Sequence, residues 1–155
     1  MTNIIDLYLN YTKQYQETHG DKTLVLMQVG SFYECYALIE KDGTYSGSLI
    51  QEFANINDMI ISKKNVCCGG KSVVMAGFGL PQIEKYVKKM INNGYTVVIY
   101  SQDIQGKNTT RSLSCIYSPG TYFNSNDSNE TVLSNNTICI WAHLAKAGSV
   151  VKESI

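Results

Sequence analysis

The chain has 155 residues, of which 44% are apolar and 17% charged, enough for one domain with a hydrophobic core and too apolar for a wholly disordered chain. Lys plus Arg and Asp plus Glu each number 13, and a net charge of zero excludes a uniformly basic nucleic-acid-binding tail or a polybasic membrane-surface segment. No run of 18 apolar residues is present to span a bilayer, and the start MTNIIDLYLNYTKQ lacks the parts of a signal peptide.

Ile5, Tyr8, Leu9, Thr12 and Tyr15 recur at helical spacing behind a cap at Thr2 or Asn3, so residues 4–18 read as an amphipathic helix ended by His19-Gly20-Asp21. Thr23–Val29 is an apolar run of strand length, broken by Gly30-Ser31, and Phe32–Ile39 is a second strand closed by the turn Lys41-Asp42-Gly43. Leu49, Ile50, Phe53 and Ala54 place a helix in Ser48–Asn57. Met59–Ser62 reads as the strand leaving it, Asn65–Lys71 as a Gly-containing loop, and Val73–Ala76 as another strand. Pro81 opens a helix whose apolar stripe is Ile83, Tyr86, Val87, Met90 and Ile91, and Asn93-Gly94 closes it. Tyr95–Tyr100 and Arg111–Tyr117 are strands. The order predicts an α/β fold with a mixed sheet flanked by helices. Asn124–Asn136 is polar and turn-rich, and Thr137–Trp141 is one last apolar strand.

The charges are unevenly distributed. Residues 1–58 carry eight acids and three bases, and residues 59–155 carry ten bases and five acids, so the two parts are −5 and +5. One side of such a chain can meet a polyanion although the total is zero. Five cysteines (Cys35, Cys67, Cys68, Cys115 and Cys139) have no framework spacing, which fits free thiols in a reducing, intracellular compartment. Adjacent Cys67 and Cys68 look like half a metal site, but two histidines and no CxxC pair leave no ligand set to complete it, so no metal is expected.

No catalytic constellation is visible: no phosphate loop of the GxxxxGK[ST] type, no GxGxxG opening a helix, no HExxH. Gly77-Phe78-Gly79 before the Pro81 helix resembles a phosphate cradle only loosely. The segment that stands out is Gly30-Ser31-Phe32-Tyr33-Glu34. On a strand, Phe32 and Glu34 leave one face and Tyr33 the other, toward the core. In one reading Phe32 is core and Glu34 a solvated edge residue. In the other the pair is a probe: an apolar ring can wedge between base steps, and a carboxylate beside it can accept a hydrogen bond from a base edge.

Val29-Gly30-Ser31-Phe32-Tyr33-Glu34 resembles the GxFYE signature of the MutS DNA mismatch-repair family, in its N-terminal mismatch-recognition domain. The first helix, Leu24–Val29, Ser62-Lys63-Lys64, Val74-Met75-Ala76-Gly77, Ile83–Asn92, Gly94–Gln102 and Ser118-Pro119-Gly120-Thr121 resemble that domain in the same order, so the likeness spans roughly residues 4–121. The resemblance implies a mismatch-recognition domain at 1–121, a polar linker at 122–136 and the incomplete start of a connector domain at 137–155. It implies that Phe32 stacks on a mispaired base and Glu34 hydrogen-bonds to it, with Lys63, Lys64 and, more weakly, Lys71 and Arg111 on the DNA backbone; Lys85, Lys88 and Lys89 read as a solvated helix face. The implied partner is double-stranded DNA carrying mismatches or small loops, without a membrane. The family's ATPase, ATP and Mg sites and dimerising regions are expected in a full-length parent, and no cofactor or catalysis in this chain. The alternative is a protein- or RNA-interaction module of the same fold that has lost mismatch sensing.

Overall fold

A computed structural model describes residues 3–105, 108–121 and 141 of the chain. The predicted linker and the last strand, Thr137–Trp141, lie outside the described residues apart from Trp141. Helix α1 (Ile4–His19) starts at Asn3, whose side-chain oxygen accepts the Ile5 N–H at 3.2 Å and satisfies one of the donors a first turn leaves open. Strands β1 (Thr23–Val29), β2 (Phe32–Ile39) and the short β3 (Tyr45–Ser46) follow, then α2 (Ile50–Asn57), β4 (Ser62–Cys68) and β5 (Lys71–Gly79). A 3₁₀ turn at Leu80–Gln82 carries Pro81 and leads into α3 (Ile83–Asn92), and β6 (Thr96–Gln105) and β7 (Asn108–Tyr117) complete the sheet.

The sheet runs β4-β5-β2-β1-β6-β7, with β3 paired to β2. It is mixed: β1 and β6 are parallel, joined through the α2 and α3 region, and every other pair is antiparallel. β1 lies near the middle, and Thr23 through Met27 are all buried, as expected for a strand covered on both faces. Register puts Tyr100, Met27, Glu34 and Gly77 in one row across the sheet and Gln28, Tyr33 and Phe78 in the next. Adjacent rows point to opposite faces. Tyr11 and Tyr15 of α1 meet Tyr100 on one face, while Phe53 of α2 and Tyr86 of α3 meet Phe78 on the other. The helices therefore cover both sides, and the core is the β1–β2–β6 centre between them.

β1 and β2 pair at only three positions, Met27 with Glu34, Gln28 with Tyr33 and Val29 with Phe32. Beyond them the Val25 carbonyl is taken by Tyr8, whose hydroxyl donates to it at 3.0 Å and lies 3.1 Å from the Cys35 sulfur. A buried carbonyl without a partner costs about 1–3 kcal/mol, so a tyrosine rather than a phenylalanine suits this core position.

The second half of the sheet departs from the sequence reading. Met59–Ile61 precedes the strand instead of forming it, and β4 covers most of the expected loop Asn65–Lys71. The turn itself is only Gly69-Gly70, both at positive φ. β4 is an edge strand with mostly exposed side chains, so it carries no apolar alternation to mark it. β5 likewise runs to Gly79, and Gly77-Phe78-Gly79 is strand paired to β2, not a loop before a helix. That pairing and the burial of Phe78 remove the loose likeness to a phosphate cradle.

Candidate functional site

The Gly30-Ser31 turn joins β1 to β2 with two residues. Gly30 has φ +59, and glycine at the first central position is what a tight two-residue hairpin with this twist requires. Its N–H donates to the Gln102 side-chain oxygen at 2.9 Å, and the Gln102 N–H donates to the Gln28 side chain at 3.0 Å. Gln28 in turn donates to the Gly30 carbonyl at 3.2 Å, while its own carbonyl accepts from Arg111 Nε at 3.0 Å. On the other side the Leu80 N–H donates to the Ser31 carbonyl at 3.1 Å. The turn is tied to β6, to β7 and to the 3₁₀ turn that follows β5.

Phe32 is the first residue after this turn and is 53% exposed. Val29 and Gly79 stand opposite it, and Gly79 offers no side chain to cover the ring. Glu34, two residues on, is 7% exposed and lies in the interior of the sheet. The reading of Phe32 as core and Glu34 as a solvated edge residue is therefore overturned on both counts: the ring is out and the carboxylate is in. Tyr33 is buried, as expected, beside Phe78.

The carboxylate is not left alone. Lys64 Nζ donates to Glu34 Oε2 at 2.7 Å, and the Tyr36 hydroxyl makes a short hydrogen bond to the same oxygen. Lys64 also lies 3.2 Å from the Tyr36 hydroxyl oxygen, with its ammonium 4.7 Å from the ring centroid. Burial first, then the bond to Glu34, pushes the Tyr36 phenol far above its ordinary value, so it stays a donor. The nearby Arg111 charge opposes that shift. Both hydrogen bonds that Glu34 receives among the described residues fall on Oε2.

The other expected basic residues separate. Lys63 is exposed on β4 and shows no ion pair among the described residues. Lys71 pairs with Glu40, whose carboxyl it holds, together with Ser46, below the usual range. Lys85 and Lys89 lie on α3, which packs on the face opposite Glu34; Lys89 is 3.6 Å from Asp58. Cys67 is exposed, and the Cys68 thiol is 2.9 Å from an Asp6 carboxylate oxygen. Among the described residues no group of three or more His, Cys, Asp or Glu side chains could hold a metal, and no helix is long and apolar enough to cross a membrane.

Sequence reasoning singled out Phe32 and Glu34 as the probe and Lys64 as a backbone contact, but not Tyr36, Gly77, Gln28 or Gln102, which the fold brings beside them. Tyr36 had a signal, since it shares the strand parity of Glu34. The glutamines had none, because their partners are more than 70 residues apart along the chain.

The family model of MutS domain I matches residues 8–126. A putative DNA mismatch repair protein mutS homolog of Acanthamoeba polyphaga mimivirus is 34% identical over 121 residues, 77% of this chain. A mitochondrial DNA mismatch repair protein mutS homolog of Sarcophyton glaucum is 24% identical over 141 residues, also 77% of the chain. The chain spans 11% and 14% of the length of these two relatives. On the extent of the domain match and on the viral relative's identity, this chain belongs to the MutS family and carries its domain I.

Proposed function

We propose that this domain recognises mismatched or looped sites in double-stranded DNA, with Phe32 as the wedge at the mispaired base and Glu34 as the hydrogen-bond acceptor beside it. The observation that carries the reading is the pairing of an exposed ring with a buried, oriented carboxylate on one face of one strand. A phenylalanine half in water at the tip of a hairpin loses apolar burial unless something covers it, and a base is a flat apolar partner. Prying a base from the stack costs a few kcal/mol and least where pairing is already defective, so such a wedge favours mismatches by their deformability. Lys64 and Lys71 are occupied by Glu34 and Glu40, so the phosphate contact falls first on Lys63. The remainder of a full-length protein would supply ATP and Mg binding and the second subunit of a dimer; both are drawn from the family and belong to this proposal.

The test is binding of the full-length protein to a duplex with one mismatch and to its matched counterpart. Phe32→Ala should reduce the affinity for the mismatched duplex by about 5- to 150-fold, the scale of one base–aromatic stack, with a much smaller loss on matched DNA. An unchanged preference would remove Phe32 from the role and favour an interaction module that does not sense mismatches.

A further inference from the structure

We infer that Lys64 is a specificity-determining positioning residue: with Tyr36 it holds Glu34 by a single oxygen, so that the other carboxylate oxygen is presented, oriented and with its charge compensated, to a displaced base. The inference rests on the proposed role of Glu34.

Three observations lead to it. The two donors converge on Oε2, and Oε1 receives none of the hydrogen bonds that Glu34 makes among the described residues. A carboxylate held at one oxygen by two donors from different residues cannot spin about its terminal torsion without breaking both bonds, so the direction of the second oxygen is fixed. Tyr36 is wholly buried, and its phenol is itself steadied by Lys64 at 3.2 Å. The three groups form a closed triangle rather than a simple ion pair.

The second part is charge. A bare carboxylate beside the DNA backbone repels every duplex, matched or not, and the repulsion is strongest where water is excluded. An ammonium at 2.7 Å makes the pair neutral at the distance of a phosphate while leaving Oε1 a strong acceptor at the distance of a base edge. Lys64 sits on β4, with β5 between it and β2, so its ammonium reaches Glu34 across an intervening strand. An ammonium engaged in this way is not also an independent phosphate contact, which separates Lys64 from its neighbour Lys63.

The experiment is a double-mutant cycle on the full-length protein, read as the ratio of affinities for mismatched and matched duplexes. Lys64→Met keeps the aliphatic stem and removes the charge. It should lower the ratio by about tenfold, the scale of one charge-assisted hydrogen bond, to the level of Glu34→Gln. Glu34→Gln/Lys64→Met should equal Glu34→Gln alone, and Lys64→Arg should recover part of the ratio. A Lys64→Met protein that loses the same factor on both duplexes overturns the inference and makes Lys64 a phosphate contact, and a double variant whose ratio falls below that of Glu34→Gln overturns it by showing that Lys64 acts on the mismatch independently of Glu34. The double variant leaves no buried carboxylate without its cation, so it decides the matter even where Lys64→Met fails to fold: its affinity for the matched duplex should equal that of Glu34→Gln, and a further loss there overturns the inference. A Glu34→Gln protein with an unchanged ratio would instead overturn the proposed role of Glu34, a separate failure.

Discussion

Gly77 lies across the β2–β5 ladder from Glu34, and the place its side chain would take is already filled. An added methyl carbon would stand 2.6 Å from the Tyr33 carbonyl oxygen and 3.2 Å from Cγ of Glu34. The first contact is with backbone and cannot be relieved by a rotamer change. Gly77 is thus the residue that lets the Glu34 side chain lie over its neighbouring strand.

Gly77→Ala should therefore cost about 1–3 kcal/mol in urea unfolding, the usual range for overpacking. The same variant should disturb the mismatch preference, because the strand shift that relieves Tyr33 also moves Glu34. Stability and preference both equal to the parent would show that the ladder gives way at no cost.

Tyr8→Phe removes one hydroxyl and changes little else in volume. The Val25 carbonyl loses its side-chain donor in a fully buried place, while the Cys35 sulfur loses one of two partners and keeps Ser48 at 3.7 Å. A loss of about 1–3 kcal/mol is expected by chemical denaturation with an unchanged m-value. A neutral result would mean that the carbonyl finds water.

The cysteines should divide sharply in reactivity. Burial pushes the Cys35 thiol from 9.0 to about 11, whereas Cys67 is exposed. Peptide mapping after brief alkylation at pH 8 should find Cys67 labelled and Cys35 protected until unfolding. The same shift has a sign for stability. A thiol whose proton is held more tightly in the folded state contributes fully below its ordinary value and loses that contribution as pH rises from about 9 toward about 11. The buried Tyr8 phenol, also raised, acts in the same direction at still higher pH. Stability should fall through this alkaline window, and Cys35→Ala should flatten the first part of the fall.

Lys63→Ala tests the backbone contact. Its loss should weaken binding to matched and mismatched duplexes alike and reduce the slope of log affinity against log salt by about 0.9, one phosphate's worth of released counterions. An unchanged slope would remove Lys63 from the interface.

Much of the fold around the candidate site was legible in the sequence, for identifiable reasons. β1 and β2 lie between strong punctuation, Gly20-Asp21, Gly30-Ser31 and Lys41-Asp42-Gly43, and the structure sets them at Thr23–Val29 and Phe32–Ile39. β4 was not legible, because an edge strand with solvent on most of its length has no periodicity to show and the paired glycines at 69 and 70 drew the whole stretch toward a loop. The pairing of Glu34 with Lys64 was hidden for a different reason. It joins residues 30 apart across an intervening strand, and the register of β5 decides it. The exposure of Phe32 was hidden too, since an aromatic at a strand start is equally at home inside.

The tethers on the Gly30-Ser31 turn have a mechanical consequence. A ring that forces two stacked bases apart is pushed back by them with equal thrust, and whatever carries the ring must not yield first. A free two-stranded finger would bend. Here the tip is lashed to β6 and β7 through Gln102, Gln28 and Arg111, and to the 3₁₀ turn after β5 through Leu80. In the proposed wedge role, load on Phe32 would pass sideways into the strands tied to the turn, and the work of insertion would be spent on the helix of the DNA rather than on the mount.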